Sequence, residues 1–495
     1  MVAENDLPGE EYKFDPRVLE KTIIAKPLLD LMDSSPNKPI SIIIDLNLNY
    51  AEGIVLAGEK VVNLILDYSK SNNLTEESTR KQISINKEKN RLTRQYVFAK
   101  LSPEIIRGII VMDRKGNPAI YKIWPDFKMG SQMIKSVRTI KADAARTSFS
   151  ASGEEITWAV VDSGVDFSHP HFLEHKNRHS DYHKNFTESG SAEEDEFGHG
   201  THVAGIIAGE MQKLKPEDPI QPVILVRSKN EIGESNFKNV AIDKISGMAP
   251  KCKIVSIKVL DSRGKGQTSS LIAAIAHIQE INNYGRELKI HGVNLSLGYP
   301  FDPEWFACGQ SPVCVEVDRL VKSGVVVVVA AGNTGYGFSD TKFNGRMASG
   351  MPLSINDPGN AELAITVGAT HRESPHTYGV SYFSSKGPTG DGRPKPDIIA
   401  PGEKIISCAA GGKKKAFGTN AAGANEAYYL EESGTSMAAP HVSGAIAAFL
   451  SVRREYIGQP EKLKHIFCST ATDLRRDPYF QGKGLVDLMR AIQSV

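Results

Sequence analysis

Apolar residues divide the chain into segments that predict alternating strands and helices from about residue 157 onward. The five consecutive valines at 325–329 are typical of a strand buried on both faces of a parallel sheet. In the segment 271–283, Leu271, Ile275 and Ile278 recur at helical spacing and mark one buried face. This alternation predicts an α/β domain over residues 131–495, with a doubly wound, mostly parallel sheet and helices on both faces.

Residues 39–130 carry a shorter pattern of their own. Apolar runs predict strands at 40–44, 83–85, 96–99 and 119–124, and helices at 55–68 and after Ser102. Ser102 is expected to cap the second helix, with Pro103 at its first position. The order β-α-β-β-α-β predicts a small α+β domain that ends in a junction at 125–130. Residues 1–38 are interpreted as an added helical extension.

Length and charge agree with two globular domains. At 495 residues the chain is too long for one hydrophobic core. It is 40% apolar and 24% charged, and its net charge of +1 gives no reason to expect a nucleic acid or an anionic membrane as partner. The lysines at 413–415 follow two glycines and are expected in a solvated loop.

The N-terminus and the cysteines indicate an intracellular protein. Glu4, Asp6 and Glu10 replace the basic stretch of a secretory signal, and no apolar run reaches the length of a membrane span. We therefore expect a cytoplasmic location. Five cysteines, an odd number, agree with reduced thiols. Cys308 and Cys314 are close enough to pair, but two free thiols are favoured, and the spacing does not match a zinc site.

The segment 434–441, GTSMAAPH, is the strongest candidate for chemistry. It places Ser436 among small residues, directly ahead of an apolar helical run at 442–450. Pro440 is compatible with the first turn of that helix. Ser436 is therefore expected near a helix N-terminus, where exposed N–H groups favour the negative charge that forms beside a nucleophilic serine.

Two further segments supply the partners that a serine nucleophile requires. Residues 158–162 read as a buried strand that ends at Asp162, and 197–205 read as a glycine-hinged turn that leads into a helix from His199. A serine hydroxyl needs an imidazole base, and the imidazole needs a carboxylate to hold its tautomer. His202, one turn further, is expected to be structural.

A fourth segment supplies a candidate for anion stabilisation. Asn333 follows the valine strand, at the edge where the sites of open α/β sheets gather. Its side-chain N–H groups are suited to donate to the oxyanion of a tetrahedral intermediate.

These four motifs in the order Asp162, His199, Asn333 and Ser436 resemble the subtilisin-like serine peptidases over most of residues 136–495. The resemblance implies that Asp162 orients the base, His199 is the general base and acid, Ser436 is the nucleophile and Asn333 donates to the oxyanion. It also implies binding of protein or peptide substrates as an added β-strand. The residues implied in that clamp are Gly264 and Gly266 on one edge, and Ser296, Leu297, Gly298 and Gly332 on the other.

The domain at 39–130 resembles the prodomain of this family. The resemblance implies an intramolecular inhibitor and folding assistant, made as part of a zymogen that cuts itself. A permanent accessory domain that is never removed is the alternative.

The chain departs from the family pattern at several positions. His171 aligns with an aspartate of a family calcium site, and an imidazole is a poor ligand for a cation that prefers oxygen. We therefore expect that site to be lost and no cofactor to be needed, which leaves other calcium sites open. Residues 211–246 and 411–430 are insertions. Asn356 and Thr334 align near the primary substrate pocket, so its specificity is not readable.

Three functions compete at this point. The leading one is an intracellular serine endopeptidase. The others are a peptide-binding scaffold with a docked prodomain, and a narrow processing peptidase that acts on one cellular partner. The full set of four motifs argues against the scaffold, because a binding module has no use for a base, a nucleophile and an oxyanion donor together.

Overall fold

The chain divides into two units, residues 1–131 and 132–495, in the computed structural model. The structure describes residues 23–36, 38–71, 83–126, 135–212, 220–229, 235–304, 306–341, 345–417 and 426–495. Residues 1–22 and most of the predicted junction lie outside these ranges.

The N-terminal unit is an antiparallel sheet covered by helices. Its strands are β1 (Ile40–Leu46), β2 (Ile83–Ile85), β3 (Tyr96–Leu101) and β4 (Ile120–Pro125). Its helices are α1 (Lys26–Ser34), α2 (Ile54–Ser71), α3 (Lys87–Leu92) and α4 (Pro103–Asp113). The strand order is β2-β3-β1-β4. Apart from the short helix α3, the order of elements after residue 38 is the predicted one.

One core holds the N-terminal unit together. Ile42 and Ile44 of β1 are fully buried, and Leu28 of α1 packs into the same cluster, so the described part of the extension belongs to this core. Pro103 occupies the start of α4 as predicted. The prediction for Ser102 was wrong in one respect. Ser102 stands at the N-cap position, but its hydroxyl makes no capping hydrogen bond.

The second unit is larger and contains most of the regular structure. Its strands are β5 (Thr157–Asp162), β6 (Lys184–Asn185), β7 (Glu210–Gln212), β8 (Gln221–Lys229), β9 (Ser235–Ala241), β10 (Lys244–Ser246), β11 (Lys253–Lys258), β12 (Gly292–Leu295), β13 (Val326–Ala330), β14 (Tyr336–Thr341), β15 (Gly345–Gly350), β16 (Ile365–His371), β17 (Ile398–Glu403), β18 (Ile405–Cys408) and β19 (Glu426–Glu432). Its α-helices are α5 (Ser136–Thr139), α6 (Ala142–Phe149), α7 (His199–Ile207), α8 (Thr268–Ile281), α9 (Pro312–Lys322), α10 (Pro375–Tyr378), α11 (Thr435–Val452), α12 (Pro460–Ser469), α13 (Pro478–Gln481) and α14 (Leu488–Gln493). Short 3-10 helices cover Pro170–Phe172, Asn283–Gly285, Gly411–Phe417 and Arg454–Tyr456.

A parallel sheet of seven strands forms the centre of this unit, in the order β17-β16-β13-β12-β5-β11-β6. The valine strand β13 has buried residues on both faces. Val326 and Val328 pack in the cluster that contains α11, whereas Val327 and Val329 pack in the cluster that contains α8 and α9. The doubly wound α/β prediction is therefore confirmed, because helices cover both faces of one parallel sheet.

The two insertions join in a second sheet. Strands β8 and β9 come from the first insertion, and β19 comes largely from the second. Together with β18 they form a four-stranded sheet in the order β18-β19-β8-β9, in which β19 and β8 run parallel. Two insertions that are about 200 residues apart in the sequence thus stabilise each other through backbone hydrogen bonds.

Helix α11 bears on the prediction that no apolar run reaches the length of a membrane span. Among the described residues it is the one helix long and apolar enough to cross a membrane by length and composition, and 83% of it is buried inside the protein. Such burial is typical of a core helix, and α11 packs against α7 and the central sheet.

Candidate active site

The predicted site residues lie at or near the ends of four elements of the second unit. Asp162 is the last residue of β5, and His199 is the first residue of α7. Asn333 follows the end of β13, and Ser436 is the second residue of α11. Because the carboxyl ends of parallel strands share one edge of the sheet, these elements can present their side chains at one place.

Asp162 and His199 are in direct contact. His199 Nδ1 lies 2.8 Å from Asp162 Oδ1, which also accepts a hydrogen bond from the Ser163 backbone N–H at 2.8 Å. Asp162 is fully buried, and the His199 side chain keeps 15% of its surface exposed. Burial lowers the pKa of His199, but the charge of Asp162 and its hydrogen bond raise that pKa by more, so it lies above the ordinary value.

Ser436 lines the same cleft as His199, with its hydroxyl turned away from the imidazole. Its hydroxyl donates to the Ser296 carbonyl oxygen at 3.0 Å rather than to His199. The Ser296 hydroxyl in turn donates to the Ser436 carbonyl oxygen at 2.8 Å. That carbonyl oxygen is available because its helical donor would be Pro440, which has no N–H. The structure places Pro440 inside α11 rather than in its first turn, which corrects the prediction.

The side chain of Asn333 has a fixed orientation. Its Oδ1 accepts from the Thr435 backbone N–H at 2.9 Å and from the Thr435 hydroxyl at 3.1 Å. A backbone N–H can only donate, so the atom that faces it must be the carbonyl oxygen of the amide. The Asn333 amino group is therefore available to donate elsewhere.

A cleft of about 600 Å³ joins these residues to the predicted substrate edges. It is lined by His199, Ser436 and Asn333, by both predicted edges (Gly264, Gly266, Ser296, Leu297, Gly298 and Gly332), and by Asn356 and Thr334. Gly264 has a φ of +72°, and a Cβ there would lie 2.6 Å from the Phe197 ring, so this edge requires a glycine. A narrow cleft between two backbone edges can hold an extended peptide.

Comparison with known proteins decides the family. The model of the subtilase family matches residues 153–484, which is most of the chain. The chain belongs to the subtilase family. It is similar to subtilisin of Bacillus pumilus, with 30% identity over 72% of this chain and 98% of that protein. It is also similar to subtilisin E of Bacillus subtilis (27% identity, 84% of this chain, 87% of that protein) and to an intracellular serine protease of Paenibacillus polymyxa (29%, 76% and 92%). This subtilase is a serine endopeptidase.

Asp195 is an organising residue of this subtilase that sequence reasoning missed. Its carboxylate is almost fully buried and accepts from the Ser163 hydroxyl, the Gly198 N–H and the Thr201 N–H and hydroxyl, at 2.6 to 2.8 Å. It thereby fixes the loop that leads into His199. An acidic residue just before the motif Gly-His-Gly-Thr was the available signal.

His171 lies where the resemblance predicted loss of a calcium ligand. Its Nε2 is 3.2 and 3.1 Å from the Gly205 and Ala208 carbonyl oxygens, and its Nδ1 is 3.2 Å from the Tyr429 hydroxyl. Burial lowers the pKa of His171 to about 3, so the imidazole is neutral at physiological pH. The side chain acts as a structural link between α7 and the sheet formed by the insertions.

Two further histidines near the site, His202 and His441, are also buried and structural. His202 Nε2 lies 3.2 Å from the Leu430 carbonyl oxygen, and His441 Nδ1 lies 2.7 Å from the Met437 carbonyl oxygen. Burial lowers the pKa of each to about 4.

One group among the described residues has metal-ligand character. Glu174, His175 and Glu210 bring their ligand atoms within 4.8 Å of one another. Glu210 already forms ion pairs with Lys244 at 2.7 Å and Arg146 at 3.1 Å, which satisfy both of its oxygens. The five cysteines are free thiols, Cys308 and Cys314 included.

Proposed function

We propose that Asp162, His199 and Ser436 form the catalytic triad of this serine endopeptidase, with Asn333 as the oxyanion donor. The observation that carries the proposal is the 2.8 Å hydrogen bond between Asp162 and His199 at the edge of a cleft that Ser436 and Asn333 also line. Asp162 fixes the tautomer in which Nδ1 carries the proton, so Nε2 is left free to accept one.

The reaction begins with rotation of the Ser436 hydroxyl away from the Ser296 carbonyl toward His199 Nε2. Hydrogen bonds of this kind are often absent in a free enzyme and form when substrate binds. His199 then takes the hydroxyl proton as the oxygen attacks a peptide carbonyl. The Asn333 amino group and the Ser436 backbone N–H hold the oxyanion.

Breakdown of the intermediate uses the same residues. His199 returns the proton to the leaving amine, which departs and leaves the acyl group on Ser436. Water then attacks the acyl-enzyme with His199 as the base. The substrate is held as an extended strand between the edges at 264–266 and 296–298.

We further propose that the N-terminal unit is a prodomain that inhibits the enzyme and is removed by self-cleavage near residues 125–130. The similarity to subtilisin E covers 84% of the chain, which is more than the catalytic unit alone supplies. The outer face of this unit's sheet also carries an apolar patch among charged and polar residues. Ile43 pairs with Phe98 and Trp124 there, and Trp124 is 40% exposed. An exposed apolar patch of this kind is suited to docking against a protein surface.

Intact mass spectrometry of wild type beside Ser436→Ala tests both proposals. We expect wild type to lose its N-terminal unit and the variant to stay full length and to leave casein intact. Ser433→Ala is the matched control, because this exposed serine lies three residues earlier and outside the cleft. If wild type and Ser436→Ala both stay full length while only wild type degrades casein, the prodomain proposal fails and the triad proposal stands.

Two further properties belong to the proposal. The relative from Paenibacillus polymyxa is described as intracellular, which supports a cytoplasmic location for this subtilase. Strict cleavage of one cellular partner, with no turnover of casein, would favour a processing peptidase over a general one.

A further inference from the structure

The second insertion packs directly on the loop that carries His199. The 3-10 helix Gly411–Phe417 begins with Gly411, and a Cβ at that position would lie 2.2 Å from the Asp195 carbonyl oxygen. The Gly412 backbone N–H donates to the Glu196 carbonyl oxygen at 2.8 Å. Both contacts involve residues just before α7, so the insertion packs on the loop that leads to His199, the candidate base.

The Lys413 side chain is largely buried between the second insertion and the loop before His199, in contrast to the solvated loop expected from the sequence. Its side chain is only 15% exposed, and its Nζ lies 2.5 Å from Glu432 Oε1. The Nζ also lies 5.8 Å from the centre of the Phe197 ring, within the range of a cation–π contact. The stem passes so close to Gly198 that a Cβ there would lie 3.0 Å from Lys413 Cγ.

Glu432 links Lys413 of the second insertion to the segment that leads to Ser436, the candidate nucleophile. It is the last residue of β19, where it pairs with Ile405 of β18, and it precedes Ser436 by four residues. Burial raises the pKa of Glu432, but His202 and Lys413 lower that pKa by more, so the carboxylate stays ionised. The ion pair therefore joins the loop before His199 to the strand that leads into α11.

We propose that the Lys413–Glu432 ion pair sets the position of His199 relative to Ser436, which makes Lys413 and Glu432 positioning residues for peptide-bond cleavage. This inference rests on the proposed triad. Neither residue lines the cleft, so the pair acts through the catalytic elements and not through substrate contact. Misplacement of a catalytic group by about 1 Å can reduce a rate by about a hundredfold, so a smaller shift is sufficient for a measurable loss.

The pair also has an electrostatic signature that a merely structural contact lacks. The charged side chains that act on the His199 imidazole are Asp162, Lys413 and Glu432. The His202 imidazole also interacts with His199, but burial lowers its pKa to about 4, so it stays neutral over the range of the assay. Lys413 lowers the pKa of His199, and Glu432 raises it. Removal of the Lys413 charge should therefore shift the acidic limb of the pH–activity profile upward, and removal of the Glu432 charge should shift it downward.

The test measures kcat and KM against pH for Lys413→Met, Glu432→Gln and the double variant, on one peptide substrate. We expect plateau kcat to fall about three- to tenfold in each single variant with KM unchanged. The acidic limb should move up by about half a pH unit in Lys413→Met and down by a similar amount in Glu432→Gln, with the double variant between them. Lys415→Met is the matched control, because it removes the same charge from an exposed position two residues away.

Several outcomes would overturn the inference. They are unchanged kcat and pH profiles in an active enzyme, equal shifts in Lys415→Met, or shifts of the same sign in both single variants. If Lys413→Met does not fold, Glu432→Gln decides alone, because it preserves the shape of the side chain. A wild type that neither cleaves peptides nor reacts with a fluorophosphonate would overturn the proposed function and this inference with it, whereas an active wild type isolates the inference.

Discussion

Thr435→Val is a nearly isosteric change beside the oxyanion donor. The Thr435 hydroxyl donates to Asn333 Oδ1 at 3.1 Å and accepts from the Gly332 N–H at 3.1 Å. Thr435 is fully buried, so the valine fills the same space without contact with solvent. The variant removes one of the two hydrogen bonds that orient Asn333 and keeps the other, from the Thr435 backbone N–H at 2.9 Å.

The size of the effect follows from this partial loss. A neutral hydrogen bond contributes about 0.5–1.5 kcal/mol net, so kcat should fall about two- to tenfold as Asn333 becomes less well oriented. Loss of the donor itself, in Asn333→Ala, should cost about 2.7–4 kcal/mol, the magnitude known for the equivalent donor of subtilisin. Thr435→Val should also lower the free energy of unfolding by about 0.5–1.5 kcal/mol, because the half-buried Gly332 N–H loses its acceptor.

A double-mutant cycle checks the reasoning. Initial rates on a chromogenic peptide give kcat and KM for wild type, both single variants and the double variant. If Thr435 acts through Asn333, Thr435→Val has no further effect on kcat once Asn333 is alanine. The same fold-loss in both backgrounds would refute the argument, because Thr435 would then act on catalysis independently of the amide.

Three further predictions follow from the site. The pKa of His199 lies above the ordinary value of 6.5, and the base must be neutral to accept a proton. We therefore expect kcat/KM to fall with decreasing pH around a midpoint above 6.5, and a midpoint below 6.5 would contradict this. His171→Ala should lower the free energy of unfolding in urea by about 2–4 kcal/mol, since it leaves a cavity and three polar atoms without their partner. An unchanged urea midpoint of unfolding would show that the contact of His171 with α7 and β19 is dispensable. For wild type, folded His171 has a pKa of about 3, so the unfolded chain binds the extra proton and this residue reduces stability as pH falls below 6.5. Gly264→Ala should reduce kcat/KM for a long peptide far more than for a short ester, because its Cβ would displace Phe197 and distort the substrate edge, and equal losses on both substrates would argue against that edge.

Short-range patterns were sufficient to predict the central sheet and the candidate site residues. The valine run required burial on both faces, which only a central parallel strand provides, and its alternate side chains indeed pack on opposite faces. Asp162 and Asn333 were recognisable because Asp162 ends such a strand and Asn333 lies shortly after the end of another, at the edge where sites form.

Features that depend on long-range contacts were not predictable from the sequence. The lysines at 413–415 looked solvated, because nothing local shows that Lys413 meets Glu432 and the Phe197 ring. The sheet that joins β8 to β19 also has no local signal, since strand pairing is decided by chain segments far apart in sequence. Pro440 was placed one turn too early, because its tolerance within α11 depends on the Ser296 hydroxyl, which satisfies the freed Ser436 carbonyl.

The most direct test of the proposed triad is covalent labelling with a fluorophosphonate, followed by peptide mapping. A serine is phosphonylated rapidly only when a neighbouring base takes its proton. We predict one adduct on wild type, at Ser436, no adduct on Ser436→Ala, and labelling at least about a hundredfold slower in His199→Ala. An adduct on another residue, or equal rates in wild type and His199→Ala, would contradict the claim that His199 and Ser436 act together.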